Sequence, residues 1–282
     1  MTIDAHVHVW DPRRFRYDWL SGDHALNRPF LPADIDRGSG SVQSMIFVQA
    51  DCAADQGVDE ARWVASLTEE WPELAGIVAF ASVEDGTRVA SQLDELADVD
   101  LVCGIRRLLQ GRPDDFFESS ALVDGLNAVG DAGLSFDACV THGQLPALRR
   151  LRAKVPGLTV ILDHLGKPPV IDGFTSDAGL AWREDIRELA TFPETYLKLS
   201  GLAPESSAER PLSDQVRPFL LAAVEAFGTR RCMVGSDWPV SARVPIDRSY
   251  GSWFEILKET LTLDAAEEER VFSGTAGEAY RL

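Results

Sequence analysis

The sequence lacks the features that mark secreted, membrane-spanning and nucleic-acid-binding proteins. No apolar run approaches the roughly eighteen residues that a membrane-spanning helix needs. The first residues lack the basic region and apolar run of a secretory signal, so we expect none. Lysine and arginine number 27 against 45 aspartates and glutamates, which gives the 282 residues a formal net charge of −18. No basic cluster offsets this balance, so we expect neither nucleic acid nor an anionic membrane surface as a partner.

Cysteine is scarce, and its spacing excludes the common zinc and redox motifs. The four cysteines, Cys52, Cys103, Cys139 and Cys232, form no CxxC pair. The last three lie within strand-like runs, where cysteine behaves as a small hydrophobic residue. We therefore expect free thiols in a reducing compartment, and hence a cytoplasmic protein.

Strand-like and helix-like segments alternate from one end of the chain to the other. The strand candidates are short and apolar without clean alternation, as expected for strands buried on both faces of a parallel sheet. They span residues 2–9, 44–49, 76–82, 101–108, 134–140, 158–164, 195–200 and 231–237. The helical patterns between and after them cover residues 58–71, 89–96, 120–132, 145–154, 178–191, 213–227 and 252–260. Eight strands with intervening helices predict an α/β protein of the (β/α)8 or TIM barrel type.

A doubly wound sheet is the main alternative to the barrel. No GxGxxG motif follows the first strand, which weakens the dinucleotide-binding version of that fold. The sequence shows no internal repeat, low-complexity tract or linker, and its 45% hydrophobic content supports one large core. Residues 1–282 are therefore predicted to form a single domain.

Two long loops are predicted near the ligand-binding end of the barrel. Residues 12–40 lack periodicity and are rich in Arg, Asp, Pro and aromatic residues. A loop after the first strand lies at the C-terminal face, where ligands bind. A substrate lid and a packed surface loop are both open interpretations. A second loop, rich in Pro, Gly and Asp, is predicted over residues 165–178.

Two histidines lie close together in the first predicted strand. Side chains two residues apart in a strand point the same way, so His6 and His8 should project side by side, with Asp4 on the same face. Buried imidazoles need hydrogen-bond partners, a metal or a substrate. The alternative is one structural histidine beside a half-exposed one.

Other polar residues follow the later strands, and catalytic groups in a barrel come from the C-terminal strand ends. The candidates at these ends are His6, His8, Gln49, Arg106, Arg107, Asp137, Cys139, Thr141, His142, His164, Lys198, Ser200, Asp237 and Trp238. A lysine inside a barrel strand is costly unless it meets carboxylates or a substrate oxygen. Lys198 is therefore predicted either to contact substrate or to neutralise Asp137 or Asp4.

The adjacent arginines of the fourth strand cannot both enter one pocket, because neighbouring strand residues face opposite ways. Arg106 shares a face with Gly104, which should leave space beneath a large guanidinium. Arg106 is thus predicted to be the pocket residue. A salt bridge at the barrel rim is the alternative for Arg106, and it is favoured more strongly for Arg107.

Four motifs together resemble those of the amidohydrolase superfamily. They are His-Val-His in the first strand, Leu-Asp-His-Leu-Gly-Lys-Pro at the sixth, Lys-Leu-Ser-Gly-Leu at the seventh and Gly-Ser-Asp-Trp-Pro at the eighth. The resemblance covers nearly the whole chain. Within the superfamily it is greatest to the branch of sugar-lactone hydrolases that includes L-fuconolactonase and L-rhamnonolactonase, near 2-pyrone-4,6-dicarboxylate lactonase.

The resemblance implies a distorted barrel with its active site at the C-terminal mouth. It implies that Asp237 is the general base that activates water, and that three histidines surround the reacting carbonyl or hold a metal. The candidate metal ligands are His6, His8, His164 and Asp237. For a sugar-derived lactone, the side chains suited to hydroxyl groups are Arg106, Gln49 and Lys198. The side chains suited to stacking on the ring are Tyr17, Trp19 and Trp238.

The sequence departs from the superfamily members that hold two metals. Those members have a bridging carboxylated lysine or a glutamate at strand four and a histidine at the end of strand five. Here strand four offers Arg106, strand five offers Cys139, and His142 lies beyond the strand. A cation at the bridging position would repel two adjacent dications. We therefore expect one divalent metal at most, with zinc favoured, or no required cofactor.

The leading hypothesis is a lactonase that opens an aldonolactone to its hydroxy acid, with a small sugar lactone as partner. No GxSxG elbow supports a covalent serine mechanism. The enzymatic alternative is a mononuclear-metal amidohydrolase or decarboxylase that acts on a small carboxylate. The non-enzymatic alternative is a barrel that binds a sugar acid as a sensor. A homo-oligomeric state stays open.

Overall fold

Eight parallel strands lie side by side in chain order, and the last returns to the first. The computed structural model describes residues 1–35, 42–243 and 250–282. The strands are β1 (Ile3–Val7), β2 (Ser44–Val48), β3 (Leu74–Phe80), β4 (Val102–Leu108), β5 (Ser135–Cys139), β6 (Val160–Leu162), β7 (Thr195–Leu199) and β8 (Cys232–Val234). A parallel bridge between Val7 and Trp238 joins the end of β1 to the segment after β8, so the sheet nearly closes into a barrel. The predicted strands and the (β/α)8 barrel are confirmed, and the doubly wound alternative is wrong.

Helices follow the strands, and all but the last pack outside the barrel. They are α1 (Gly57–Ala65), α2 (Ala90–Ala97), α3 (Asp114–Glu118), α4 (Ser120–Asp131), α5 (Leu145–Lys154), α6 (Asp177–Leu189), α7 (Leu212–Phe227), α8 (Tyr250–Leu261), α9 (Ala265–Glu269) and α10 (Thr275–Tyr280). The first helix ends at Ala65, six residues before the predicted end at residue 71. The hydroxyl of Ser66 donates to the Trp63 carbonyl at 2.6 Å, a local bond that competes with helical continuation. Within the described ranges, no helix combines the length and hydrophobicity that a bilayer span requires.

The barrel interior is apolar at one end only. Its inner cluster consists of Ile3, Ala5, Ile46, Val48, Val78, Ile161, Tyr196 and Met233 together with Ala276, Ala279 and Tyr280 of α10. Helix α10 and the C-terminus cover the strand starts, since a Cβ on Gly76 would lie 3.3 Å from Leu282. The charged groups of the interior begin above this cluster, where the Tyr280 hydroxyl donates to Asp137, and continue to the opposite end, where the strands finish.

A bulge in β1 changes the direction of its first polar residue. The pairing of β1 with β2 shifts register between Asp4 and Val7. Asp4 accepts a hydrogen bond from the Tyr250 hydroxyl of the outer helix α8 at 2.7 Å, whereas His6 lies 3.1 Å from a lysine inside the barrel. The prediction that Asp4 shares a face with His6 and His8 is wrong, because an inserted residue breaks the two-residue alternation.

Candidate active site

Three imidazoles and one carboxylate meet at the C-terminal ends of the strands. His6 lies at the end of β1, His8 follows it, His164 follows β6, and Asp237 follows β8. The Nε2 atoms of the three histidines lie 3.7, 3.5 and 3.7 Å from Oδ1 of Asp237. The Nε2 atoms of His6 and His8 lie 3.1 Å apart. The structure thus brings the four residues predicted as catalytic into one cluster.

Local backbone geometry positions these side chains. His164 and Asp237 have φ angles of 53° and 56°, in the left-handed region that non-glycine residues seldom adopt. Gly201 has a φ of +65°, and a Cβ there would lie 2.2 Å from Nδ1 of His164. A Cβ on Gly235 would lie 2.8 Å from the Cβ of His6. Both imidazoles therefore occupy space that only a glycine leaves open.

Hydrogen bonds hold each imidazole through Nδ1. Nδ1 of His8 lies 2.7 Å from the Val48 carbonyl; because a carbonyl only accepts, Nδ1 carries the proton and Nε2 keeps its lone pair. Nδ1 of His164 lies 2.9 Å from Oγ of Ser200. Nδ1 of His6 lies 3.3 Å from Oδ1 of Asp163, which can only accept, and 3.1 Å from Nζ of Lys198. All three residues consequently present Nε2 to the cluster.

The electrostatic environment keeps the carboxylate of Asp237 ionised. Burial lowers the pKa of His6 well below its ordinary value and that of His164 to about 4, so both imidazoles are uncharged near pH 7. Burial alone would raise the pKa of Asp237, but attraction to His164, which gains its proton in the acidic range, and a hydrogen bond with His8 outweigh it and hold that pKa below its ordinary value. An ionised carboxylate among uncharged imidazoles can act as a general base.

Three of these atoms, Nε2 of His6, Nε2 of His8 and Oδ1 of Asp237, have the spacing of ligands around one metal ion. Zinc takes four ligands tetrahedrally, with nitrogen and oxygen at about 2.0–2.1 Å, which places neighbouring ligand atoms about 3.3 Å apart. The separations given above range from 3.1 to 3.7 Å. A second group of possible ligands, formed by His6, Asp163 and His164, shares only His6 with the first. The donor set therefore fits one divalent cation.

The cluster lines one side of a cavity of about 210 Å³, to which it contributes His8, His164 and Asp237. The other described residues of the wall are Trp19, Ala50, Asp51, Arg106, Leu108, Gln110, Cys139, Lys167, Gly201, Pro204, Glu205 and Val240. The wall thus offers one aromatic face together with charged and amide groups. Such a mixture suits a small ligand with many hydroxyl groups.

Arg106 and Trp19 are the predicted substrate contacts that the structure places in the cavity wall. Arg106 donates to the Gln49 carbonyl at 2.7 Å and lies 3.3 Å from Asp163, while its Nε has no partner among the described residues. The indole nitrogen of Trp19 donates to the Ala50 carbonyl at 2.8 Å. Both side chains are therefore fixed before any ligand enters.

Arg107 faces away from the cavity, as expected, and pairs with Glu84 at 2.7 Å. The prediction that Gly104 leaves space beneath the Arg106 guanidinium is wrong, however. A Cβ on Gly104 would lie 2.5 Å from Oγ of Ser135. The glycine thus makes room for a neighbouring strand rather than for the guanidinium.

The other four predicted contacts lie outside the described cavity wall: Gln49, Lys198, Trp238 and Tyr17. Gln49 is fully buried, and Trp238 packs against Phe30 with ring centroids 5.8 Å apart. The Tyr17 hydroxyl donates to Glu60 at 2.8 Å. The Tyr17 hydroxyl and the Trp238 ring are already used within the core, whereas Nε2 of Gln49 has no partner among the described residues.

The loop after β1 is packed where it is described. Trp10 and Phe30 exchange backbone hydrogen bonds of 2.9 Å, and Leu20 and Leu26 are buried. The packed-loop interpretation therefore holds for residues 12–35, although Trp19 gives the loop a place in the cavity wall. Residues 36–40 of the predicted loop lie outside the described residues.

Lys198 neutralises buried carboxylates rather than facing the cavity. Its Nζ lies 2.5 Å from Asp137, 3.1 Å from Asp163 and 3.1 Å from His6. The Tyr280 hydroxyl of α10 donates to Asp137 at 2.8 Å. Of the two alternatives for this lysine, the structure supports neutralisation of Asp137. A continuous column of polar contacts runs from the C-terminal helix to the histidine cluster.

Removal of the Lys198 ammonium should be strongly destabilising. We expect Lys198→Met to lower the free energy of unfolding by about 3–5 kcal/mol, because two buried carboxylates lose their shared cation. Lys154→Met is the matched control, since it removes an exposed pair with Glu118 and should cost a small fraction of that amount. Urea denaturation measures the free energy of unfolding of both variants. Equal losses in the two would contradict the role of Lys198 as the cation of two buried carboxylates.

Glu60 should make stability depend on pH. Burial raises its pKa from 4.5 to about 7, so the folded protein holds this proton more tightly than the unfolded chain. The resulting stabilisation is complete below the unfolded pKa and is lost as the pH rises through the folded one. Between pH 5 and pH 8 we expect the free energy of unfolding of the wild type to fall by about 2–3 kcal/mol relative to that of Glu60→Gln. Urea denaturation at both pH values tests this, and a constant difference would refute it.

Sequence reasoning missed Asp163 and four wall residues that lie in loops. Asp163 stands in one of the recognised motifs, and a charge at the end of an apolar strand was the signal that could have identified it. Asp51 and Lys167 have φ angles of 59° and 48°, which no periodicity predicts. Gln110 and Glu205 likewise lie outside the regular elements.

The fold and the cluster define a barrel hydrolase whose chemistry takes place at the C-terminal ends of its strands. The chain belongs to the amidohydrolase family, whose model, described as Amidohydrolase, matches residues 3–282. The resemblance seen in the sequence is thereby confirmed.

The alignments with two named lactonases extend over almost the whole chain. An L-fucono-1,5-lactonase of Burkholderia multivorans is 31% identical over 292 residues, which cover 100% of this chain and 96% of that protein. An L-fucono-1,5-lactonase of Burkholderia ambifaria is 30% identical over 286 residues, which cover 99% of this chain and 95% of that protein. The crystal structure of an amidohydrolase from Burkholderia multivorans with bound zinc superposes with a TM-score of 0.88 at 29% identity, covering 100% of this chain and 99% of that one.

Proposed function

We propose that this protein hydrolyses a sugar-derived lactone, an aldonolactone, to its open-chain hydroxy acid. The observation that carries the proposal is the convergence of Asp237 with three histidine Nε2 atoms on a cavity with a polar wall. The two Burkholderia relatives named L-fucono-1,5-lactonase support it, since they match over nearly the full length of the chain.

Asp237 acts as the general base. A water molecule attacks the lactone carbonyl carbon while its proton passes to the carboxylate. The carbonyl oxygen becomes negatively charged, and the tetrahedral intermediate collapses by breaking the ring carbon–oxygen bond. The protonated Asp237 then returns its proton to the departing alkoxide. Water is thus added across the ester bond, and no group stays on the enzyme.

Arg106 stabilises the developing negative charge. Its guanidinium is held rigidly by the Gln49 carbonyl and by Asp163, with Nε left without a partner among the described residues. A fixed donor in a largely dry site stabilises an oxyanion more than a mobile one, because no reorganisation is required. Arg106 thereby replaces part of the solvation that the oxyanion would have in water.

One divalent cation, with zinc favoured, would be held by Nε2 of His6 and His8 and by Oδ1 of Asp237, with Nε2 of His164 beside them at 3.7 Å from Oδ1. When bound there it would supply Lewis acidity and lower the pKa of a bound water. Ser241 donates to the other oxygen of Asp237 at 2.7 Å, which fixes the carboxylate in either case. The uncharged state of His6 and His164 suits metal binding, which requires deprotonated imidazole nitrogens.

A panel of neutral 1,4- and 1,5-aldonolactones, followed with a pH indicator, tests the function. We expect turnover of at least one member, with L-fucono-1,5-lactone as the first to try. The zinc-supplemented protein should be used so that metal loss does not mask activity. Failure across the whole panel, with carbon dioxide released from a small aromatic carboxylate, would instead favour the decarboxylase alternative.

A further inference from the structure

Two cationic groups beside the histidine cluster are already neutralised from within the barrel. Arg106 lies 3.3 Å from Asp163, and Lys198 lies 3.1 Å from Asp163 and 2.5 Å from Asp137. Two cations thus face two buried carboxylates, and this inner group has no net charge. A negatively charged substituent away from the reacting carbonyl would gain little from either cation.

The rest of the described cavity wall is acidic. Outside the histidine–aspartate cluster and Arg106, its ionisable side chains with a charge near pH 7 are Asp51, Glu205 and Lys167. Nζ of Lys167 donates to Oε1 of Gln110 at 2.7 Å. Two carboxylates against one ammonium leave this part of the wall with a net charge of −1.

These groups match a ring that carries hydroxyls and no charge. Carboxylates accept hydrogen bonds from hydroxyl groups, while the ammonium of Lys167 and the amide of Gln110 donate to hydroxyl oxygens. Trp19 adds an apolar face for the carbon–hydrogen side of a sugar ring. Burial raises the pKa of Glu205. The charges of Lys167 and His142 oppose that rise, and the charge of Asp237 adds to it. Glu205 is therefore within electrostatic reach of the reaction centre.

We propose that Asp51 and Glu205, which we call the wall carboxylates, select an uncharged lactone and reject one that bears a carboxylate. This inference rests on the proposed lactonase function and names its substrate class. It also gives the wall carboxylates a part in turnover. The substrate is neutral but the product is a hydroxy acid that ionises, so the same wall that admits the lactone repels the product.

A pair of lactones that differ only at C6 tests the selection. One member carries a hydroxymethyl group and the other a carboxylate. We expect the wild type to favour the neutral member by about 100-fold in kcat/KM. Glu205→Gln and Asp51→Asn should each shift this ratio about tenfold towards the charged member, because each removes one repelling charge from a poorly solvated wall. Asparagine suits position 51, where φ is 59°.

Glu209→Gln is the matched control, because Glu209 is exposed in the same loop and is not among the described residues of the wall. It should leave the ratio unchanged. The inhibition constant of the aldonate product gives a second readout, and it should fall about tenfold in Glu205→Gln while staying constant in Glu209→Gln. Should Glu205→Gln fail to fold, Asp51→Asn carries both measurements.

The outcomes separate this inference from the function on which it rests. A wild type that opens the neutral lactone, combined with ratios that stay constant in both wall variants, overturns the selection and leaves the lactonase function standing. A preference of the wild type for the charged lactone also overturns the selection and leaves the lactonase function standing. A wild type that opens neither lactone, nor any on the wider panel, overturns the lactonase function and the selection together.

Discussion

Asp237→Asn is expected to lose about a thousandfold or more in kcat/KM on a lactone that the wild type opens. The amide has nearly the shape of the carboxylate and can keep the contact with Ser241, which lies 2.7 Å from Oδ2. It cannot take a proton from water, however, and general-base catalysis contributes about 10²–10⁴-fold. The loss of a metal ligand would act in the same direction. The measurement is kcat/KM for the purified variant across the pH range.

Asp172→Asn provides the control for this substitution. Asp172 is exposed in the loop after β6, so its variant should keep the activity of the wild type. The thermal unfolding temperature of Asp237→Asn shows whether its fold is intact. A folded Asp237→Asn enzyme that keeps more than a tenth of wild-type kcat/KM would exclude this residue as the base.

Gly201→Ala should be nearly as damaging, although residue 201 takes no part in proton transfer. The added Cβ would lie 2.2 Å from Nδ1 of His164, a separation that no relaxation of a flexible side chain can relieve cheaply. The imidazole must move, and its 2.9 Å contact with Ser200 is disturbed. We expect a loss of about 100-fold or more in kcat/KM, since small displacements of catalytic groups are costly.

A second effect must be separated from this clash. Gly201 has a φ of +65°, where alanine is strained by roughly 1–2 kcal/mol. Gly228 has a φ of +72° and a ψ of 160°, a conformation that essentially only glycine adopts, and a Cβ added there would meet no described atom within 4 Å. Gly228→Ala therefore carries backbone strain without the clash. It should lose stability but keep its kcat/KM. Equal activity in the two alanine variants would show that His164 is not held by the space at Gly201.

The strands and the histidine cluster were predictable because their signals are local. Each strand is a short apolar run, and parallel strands in a barrel end at one face, so polar residues at those ends had to meet. His6, His8, His164 and Asp237 follow from that rule. Asp4 does not, because the bulge in β1 depends on pairing with β2, which the single strand does not reveal.

The cavity wall was less predictable because it is built from loops. Trp19 and Tyr17 stand two residues apart in one aromatic loop, yet Trp19 lines the cavity and Tyr17 donates to a buried carboxylate. Their roles depend on how the loop packs, which composition does not determine. Asp51 and Lys167 reach the wall through left-handed backbone conformations. Such conformations have no sequence periodicity and are specified by tertiary contacts.

The most direct test of the central geometry is a crystal structure of the Asp237→Asn variant soaked with a neutral aldonolactone. The predicted result places the lactone carbonyl carbon within about 3.5–4 Å of the side chain at position 237, with the ring against Trp19 and its hydroxyls at Glu205 and Lys167. A lactone bound outside this cavity, or held with its carbonyl towards Glu205 and away from the three histidines, would contradict it.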